Sequence, residues 1–214
     1  MIISVKVSMK KIIVISFLAF VSLLVYCACD SGTGKLMPLK TSSVILAFGD
    51  SITYGTGAKE GESYPEVLSR LTGFKVISSG VPGEITKEGL ARLPVVLDEV
   101  NPDLVILCHG GNDILRNIPQ EETESNLEAM IGECRKRHSD IILIGVPAKG
   151  LLLETSQLYK NVAGRTGISF EKKLLADILS KPSLKADYIH PNASGYNKMA
   201  EGILSFMKKS GAVK

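Results

Sequence analysis

The chain has 214 residues, of which 45% are hydrophobic and 22% are charged, as expected of a globular protein with a sizeable core. The formal net charge of +3 is unevenly distributed, because residues 1–29 contain three lysines and no acidic residue. Beyond residue 29, the remaining 22 basic residues balance the 22 acidic ones. This balance gives no electrostatic basis for a nucleic-acid partner, and we expect none.

The N-terminal segment, residues 1–29, has the pattern of an export signal. Two lysines precede an almost unbroken apolar run over residues 12–26, and Cys27 and Cys29 stand where this run stops. The arrangement is similar to a bacterial lipoprotein signal, and we predict lipidation at Cys29 because a small residue precedes it. A cleaved signal without a lipid and an uncleaved membrane anchor fit the same pattern. We therefore predict an exported protein of the periplasm or cell envelope, which this segment would attach to the membrane.

After a predicted flexible tether at residues 30–42, strand and helix patterns alternate to the end of the chain. Short apolar runs predict strands at residues 43–47, 74–78, 103–108, 141–146 and 168–170. Apolar residues at helical spacing predict helices at residues 64–71, from Thr86 past Leu97, and at residues 119–138, 157–162, 171–179 and 193–208. Pro94, within the second of these helices, predicts a kink or a fresh start.

The alternation of strands and helices predicts one α/β domain over residues 43–214. We expect a three-layer α/β/α architecture with a flavodoxin-like parallel sheet, in which the first strand lies between the second and the third. Sheets of this kind bind ligands at the carboxyl ends of their strands. Side chains that directly follow the predicted strands are therefore the candidates for a functional site.

Four short blocks follow the predicted strands or lie near the end of the chain. They are GDS at residues 49–51, GVPG at 80–83, GGND at 110–113 and DYIHPN at 187–192. Taken alone, GDS fits an ordinary strand-to-loop turn, and GGND fits a glycine-rich turn. In the expected sheet order, however, the first three blocks rise from neighbouring strand ends. A common site is therefore the better interpretation of the set.

The side chains of these blocks suit acyl transfer, which requires a nucleophile, a base and donors for the oxyanion. We assign Ser51 as the nucleophile, and its N–H, the N–H of Gly83 and the side-chain amide of Asn112 as oxyanion donors. Asp187 and His190 are three residues apart, so a single helical turn would place them side by side. The carboxylate would then orient the imidazole, which can accept and return a proton near neutral pH as the general base.

Other residues near the blocks have structural interpretations. We expect Asp50 to brace the loop after the first strand, Asp113 to cap the helix that follows it, and His109 to be structural. Cys108 in a strand and Cys134 in a helix are expected to be buried and inert. The three histidines are widely separated in the sequence, so we expect no metal site, and the predicted chemistry needs no cofactor.

In order and spacing, the four blocks resemble the SGNH (GDSL-type) hydrolase family over residues 43–209. The sequence GLARLP at residues 89–94, together with GGND, is further similar to the bacterial thioesterase, lysophospholipase and arylesterase branch. The resemblance implies the SGNH hydrolase fold and the site roles given above, with Gly83 preferred to its rival Gly80 as the glycine donor. Residues 149–188 depart from the family pattern, so the resemblance does not indicate an acyl-chain preference.

We therefore predict a serine esterase that hydrolyses carboxylic esters through an acyl-serine intermediate, in the manner of a lysophospholipase, arylesterase or thioesterase. Its substrate would be a small acyl ester or a lipid, since export would separate it from cytosolic acyl-CoA. A carbohydrate or cell-wall O-deacetylase is the alternative enzyme. A lipid-anchored binding protein is the alternative outside enzymes, and the presence of Ser51, Asn112 and His190 counts against it.

Overall fold

Five parallel strands form the central sheet in the part of the chain that the computed structural model describes, residues 34–150 and 153–214. They are β1 (Val44–Gly49), β2 (Lys75–Gly80), β3 (Leu104–Cys108), β4 (Asp140–Ile144) and β5 (Ser169–Glu171). Their order is β2-β1-β3-β4-β5, with the first strand between the second and the third as predicted. The predicted fold class is therefore confirmed. The predicted signal segment and Cys29 lie outside the described residues.

Helices connect the strands and cover both faces of the sheet. They are α1 (Ser51–Tyr54), α2 (Tyr64–Thr72), α3 (Thr86–Val100), α4 (Gly111–Leu115), α5 (Gln120–Lys136), α6 (Gln157–Thr166), α7 (Leu174–Leu179) and α8 (Ala193–Lys209). Helix α8 contacts α2 and α7 in one layer, and α5 contacts α3 and α6 in the other. Because both faces are covered, every residue of β3 is buried, and its sequence is apolar throughout.

Local sequence signals explain most of the helix boundaries, but Pro94 is an exception. At the start of α2, the Glu66 carboxylate accepts a hydrogen bond from the N–H of Ser63 at 3.1 Å, and Gly73 ends the helix with φ of 73°. Helix α3 runs through Pro94 without interruption, so the alternative of a fresh start there is wrong. Helix α4 and a 3-10 turn at Pro182–Leu184 were not predicted, because one turn is too short to show a helical period.

The two cysteines of the described chain lie in the core, as the sequence predicts. Cys108 ends the buried strand β3, and Cys134 lies on the inner side of α5. Burial raises the pKa of the Cys134 thiol to about 12 and raises that of Cys108 well above its ordinary value. Thiols held in the protonated form are poor nucleophiles, so neither cysteine competes with the candidate serine.

The first described residues lie at the end of the sheet formed by the amino ends of the strands. The carbonyl oxygen of Gly34 accepts a hydrogen bond from the hydroxyl of Ser169, the first residue of β5, at 2.6 Å. The N–H of Met37 donates to the carboxylate of Asp140, the first residue of β4, at 2.6 Å. This end is opposite the carboxyl ends of the strands. No helix among the described residues combines the length and the apolar character needed to span a membrane.

Candidate active site

Three of the four sequence blocks meet at the carboxyl edge of the sheet. The last residue of β1 pairs in register with Gly80 of β2 on one side and with Cys108 of β3 on the other. The chain beyond these three strand ends delivers Ser51, Gly83 and Asn112 to the wall of one cleft. The sheet order therefore brings together residues that are about 30 positions apart in sequence, as expected from parallel strands.

Ser51 is held at the tip of β1 by the short helix that it begins. The preceding residue, Asp50, caps this helix, because its Oδ1 atom accepts a hydrogen bond from the N–H of Ile52 at 3.1 Å. The N–H of Ser51 lies in the first helical turn and has no partner within its own helix. Asp50 is almost fully buried, and burial raises the pKa of its carboxyl above the ordinary value of 3.8.

His190 and Asp187 reach Ser51 from the loop before α8. The Nε2 atom of His190 lies 3.0 Å from the Ser51 hydroxyl oxygen, and its Nδ1 atom lies 2.8 Å from Oδ2 of Asp187. The loop is irregular, so the predicted helical turn is wrong although the predicted pairing is present. Instead, Oδ1 of Asp187 accepts hydrogen bonds from the N–H groups of Ile189 and His190, each at 2.8 Å. This side-chain turn takes the place of a backbone helical turn.

The carboxylate of Asp187 is ionised at neutral pH. Partial burial alone would raise its pKa, but the hydrogen bonds from the His190 ring and from two backbone N–H groups outweigh burial. The net result is a pKa below the ordinary value of 3.8. An ionised carboxylate accepts the Nδ1–H of the imidazole, which leaves the lone pair of Nε2 directed at Ser51.

The predicted oxyanion donors face the same cleft as the serine hydroxyl. Gly83 lies in a tight turn with φ of 81°, and its carbonyl oxygen accepts a hydrogen bond from Nη2 of Arg116 at 2.7 Å. Among the described residues, the N–H of Gly83 has no acceptor. One N–H of the Asn112 amide donates to the carbonyl oxygen of Glu84 at 3.0 Å, and the second is left for a ligand. Together with the N–H of Ser51, these groups give three donors.

Two neighbouring residues have different positions from those that the sequence indicates. Gly80 lies within β2, where an added Cβ atom would be only 2.2 Å from the backbone nitrogen of Tyr54, so it is a packing position. Asp113 was expected to cap the helix that follows it, and this is wrong. Its Oδ2 atom accepts a hydrogen bond from the N–H of Thr86 at 2.9 Å, so it caps the preceding helix α3. This contact spans 27 residues and leaves no local signal in the sequence.

The cleft beside Ser51 is apolar and has a volume of about 640 Å³. Its size falls within the range of roughly 300–1,000 Å³ that is usual for small-molecule sites. Aliphatic and proline side chains form most of the wall: Ile52, Pro82, Ile114, Leu115, Val146, Pro147, Leu153, Leu179 and Ile189. Tyr188 stands at the mouth with 88% of its surface exposed. The sequence did not indicate this lining, because it comes from six separate segments.

The positions of Ser51 and His190 in the topology are diagnostic. A serine at the tip of the first strand, with its histidine just before the last helix on a sheet of this order, defines an SGNH-type serine hydrolase. Residues 47–198 match the sequence profile described as the GDSL-like Lipase/Acylhydrolase family, and the chain belongs to this family. The matched span contains every residue of the candidate site.

Several proteins with similar sequences or structures are described as esterases. An arylesterase of Vibrio mimicus is 27% identical over 181 residues, covering 79% of this chain and 90% of that protein. Thioesterase 1/protease 1/lysophospholipase L1 of Escherichia coli is 26% identical over 159 residues, covering 71% of this chain and 76% of that protein. The crystal structure of AlinE4, an SGNH-hydrolase family esterase, is 32% identical with a TM-score of 0.62, covering 80% of this chain and 98% of that one. The chain is accordingly a serine esterase, and neither the deacetylase nor the binding protein is favoured.

Proposed function

We propose that Ser51 is the nucleophile of this esterase, that His190 is its general base, and that Asp187 orients the imidazole. The observation that carries the proposal is the 3.0 Å contact between the Ser51 hydroxyl oxygen and Nε2 of His190. Because Asp187 holds the opposite ring nitrogen at 2.8 Å, Nε2 is the atom free to receive the hydroxyl proton. No metal or cofactor takes part in this scheme.

In the first half of the reaction, the Ser51 oxygen attacks the ester carbonyl carbon while Nε2 of His190 takes the hydroxyl proton. The carbonyl oxygen becomes negative and accepts hydrogen bonds from the N–H groups of Ser51 and Gly83 and from the Asn112 amide. When the intermediate collapses, the bond to the leaving oxygen breaks and that oxygen receives the proton from His190. The products of this half are an alcohol and an acyl-serine.

In the second half, water takes the place of the alcohol. His190 removes a proton from the water as its oxygen attacks the acyl carbon, and the same three donors hold the negative oxygen. Collapse releases the carboxylic acid and returns the proton to the Ser51 oxygen. An uncharged amide at Asn112 suits this step, because a cationic donor would retain the carboxylate product.

We infer that the acyl part of the substrate is apolar and that lysophospholipids, aryl esters or thioesters are the substrate class. The aliphatic cleft wall beside Ser51 supports this inference, since it offers contact to an acyl chain. The similarity to an arylesterase and to a thioesterase and lysophospholipase points to the same class. An acetyl group on a polysaccharide would leave most of the apolar wall unused.

Hydrolysis of 4-nitrophenyl butyrate and of a lysophospholipid by the purified domain, with and without Ser51→Ala, tests the proposal. We expect the substitution to lower kcat by at least roughly 10⁴-fold and to abolish labelling by a fluorophosphonate probe. Ser180→Ala is a matched control, because its exposed hydroxyl donates to the carbonyl oxygen of Asp177 away from the cleft. A Ser51→Ala protein with the activity of the control would refute the assignment.

We also propose that the protein is exported and lipidated at Cys29. The basic residues before the apolar run over residues 12–26, and the small residue Ala28 before Cys29, support this proposal. Mass spectrometry of the mature N-terminus tests this proposal. A diacylated cysteine at residue 29 is expected, and an unmodified N-terminus would overturn it.

A further inference from the structure

A buried charged cluster lies directly behind the oxyanion donors and takes no part in the reaction steps above. Its centre is the carboxylate of Glu84, which is only 6% exposed. The Arg92 guanidinium donates to both carboxylate oxygens, from Nε at 2.6 Å and from Nη2 at 2.8 Å. His109, which is fully buried, lies with Nε2 at 3.0 Å from one of the same oxygens. Glu84 therefore has two fixed partners.

The backbone determines which nitrogen of His109 carries the proton. The N–H of Gly110 donates to Nδ1 of His109 at 2.9 Å, so Nδ1 must be the unprotonated acceptor. Nε2 consequently carries the hydrogen and donates it to Glu84. Helix α3 leaves room for the ring at Gly89, where an added Cβ atom would lie 2.3 Å from Nε2. The ring is thus held in one orientation and one tautomer.

Arg92 connects the same carboxylate to the ends of β1 and β2. Its Nη2 atom donates to the carbonyl oxygens of Gly49 and Ser79 at 3.2 and 3.0 Å, and its Nη1 atom donates to the Ser79 hydroxyl at 2.7 Å. The guanidinium also lies 4.0 Å from the centre of the Phe48 ring. These contacts fix Glu84 relative to the strand that carries the nucleophile.

The backbone of Glu84 connects this cluster to two of the oxyanion donors, the N–H of Gly83 and the side-chain amide of Asn112. The residue directly follows Gly83, and its carbonyl oxygen accepts the hydrogen bond from the Asn112 amide at 3.0 Å. Burial alone would raise the pKa of the Glu84 carboxyl, but the hydrogen bonds from His109 and Arg92 hold it below the ordinary value of 4.5. The anchored group is therefore a carboxylate, which binds its two donors more strongly than a neutral group would.

We propose that Glu84 is a positioning residue of the oxyanion hole, fixed by Arg92 and His109 so that the Gly83 N–H and the Asn112 amide point at the developing oxyanion. The inference rests on the proposed function and extends it to three residues that touch no substrate. Donor placement matters most in the transition state, so a loss of positioning lowers kcat and leaves KM nearly unchanged.

Glu84→Gln tests the role of the carboxylate together with Asn112→Ala in a double-mutant cycle. A glutamine amide cannot replace both carboxylate oxygens, because in either orientation its NH₂ group would face an N–H of Arg92 or of His109. We expect Glu84→Gln to lower kcat by about 10- to 100-fold, within the loss caused by removing one oxyanion donor, with KM within about threefold. If Glu84 acts through the donors, the double variant loses at least about threefold less than the product of the single losses. The proposal is overturned if the kcat loss of the double variant lies within about threefold of the product of the single losses. It is also overturned if Glu84→Gln changes only KM.

Two substitutions of His109 test its contact with the Glu84 carboxylate. They also provide a test of the proposal if Glu84→Gln does not fold. His109→Gln keeps a donor near the position of Nε2, whereas His109→Asn keeps only a group near Nδ1. We expect the glutamine variant to retain at least about fivefold more kcat than the asparagine variant, at a temperature where circular dichroism finds both folded. Equal kcat values would mean that the contact to Glu84 does not serve catalysis. An active Ser51→Ala protein would instead refute the proposed function, so the two failures are distinguishable.

Discussion

Asp187→Asn is the substitution that tests most directly how the loop before α8 prepares the imidazole. In the native protein, Oδ1 of Asp187 accepts from two backbone N–H groups at 2.8 Å each, and Oδ2 accepts from His190. An asparagine oxygen would keep the two backbone hydrogen bonds, which turns its NH₂ group toward Nδ1 of His190. The imidazole must then accept at Nδ1 and carry its hydrogen on Nε2. In that tautomer it cannot take the Ser51 proton.

The exposure of the carboxylate limits the size of the expected loss. A buried triad aspartate replaced by asparagine lowers kcat by roughly 10⁴-fold. Asp187 is 50% exposed, so water can partly compensate for the misdirected amide. We expect kcat to fall by about 10²- to 10⁴-fold, equivalent to about 2.7–5.4 kcal/mol of transition-state stabilisation. KM should stay within about threefold, because Asp187 is not among the described residues that line the cleft.

Steady-state hydrolysis of 4-nitrophenyl butyrate measures this prediction. Asp98→Asn is the matched control, because it makes the same change in an exposed carboxylate. Asp98 lies on α3 and accepts a hydrogen bond from Arg137 at 2.6 Å. The control should keep the kcat of the native protein. If Asp187→Asn also stays within about threefold of native kcat, the tautomer argument is wrong, and Asp187 only braces its loop.

Two further substitutions test the surroundings of Ser51. Burial raises the pKa of Asp50 above its unfolded value near 3.8, so the stability it contributes is complete below that value and is lost as pH rises through the folded pKa. Asp50→Asn keeps the cap on Ile52, so urea unfolding should find it more stable than the native protein by a margin that grows as pH rises above about 4; a constant margin would contradict this. Leu179→Phe places a larger side chain in the wall and narrows the cleft. It should lower kcat/KM for octanoyl esters at least about threefold more than for acetyl esters. An equal change for both esters would contradict the inference that the acyl part of the substrate is apolar.

The meeting of Ser51, Gly83 and Asn112 could be predicted because each follows a strand recognisable from its apolar run. Once the sheet order is assumed, the carboxyl ends of parallel strands must converge, and no long-range contact has to be guessed. The pairing of Asp187 with His190 was also predictable, since three residues is a short separation. Its backbone was predicted wrongly, although Pro191 gave a signal: the residue before a proline disfavours the helical conformation.

The support behind the site could not be predicted in the same way. Glu84 and His109 are 25 residues apart, and their contact depends on how α3 packs against the end of β3. Asp113 was expected to cap the helix that follows it, because local capping is a common role of an aspartate in a turn. Its real partner, Thr86, is fixed by tertiary packing alone. Periodicity locates strands and helices, whereas side-chain partners across elements depend on three-dimensional distances.

A comparison of Asp187→Ala with Asp187→Asn separates the two roles of this carboxylate. Alanine removes the hydrogen bonds to the loop and to His190, but water can enter the half-exposed position and accept the Nδ1–H, so the productive tautomer survives. Asparagine keeps the loop and imposes the wrong tautomer. We therefore expect the alanine variant to retain the higher kcat, measured with the same ester. The reverse order would mean that bracing the Asp187–His190 loop, rather than directing the imidazole proton, is the main contribution of the carboxylate.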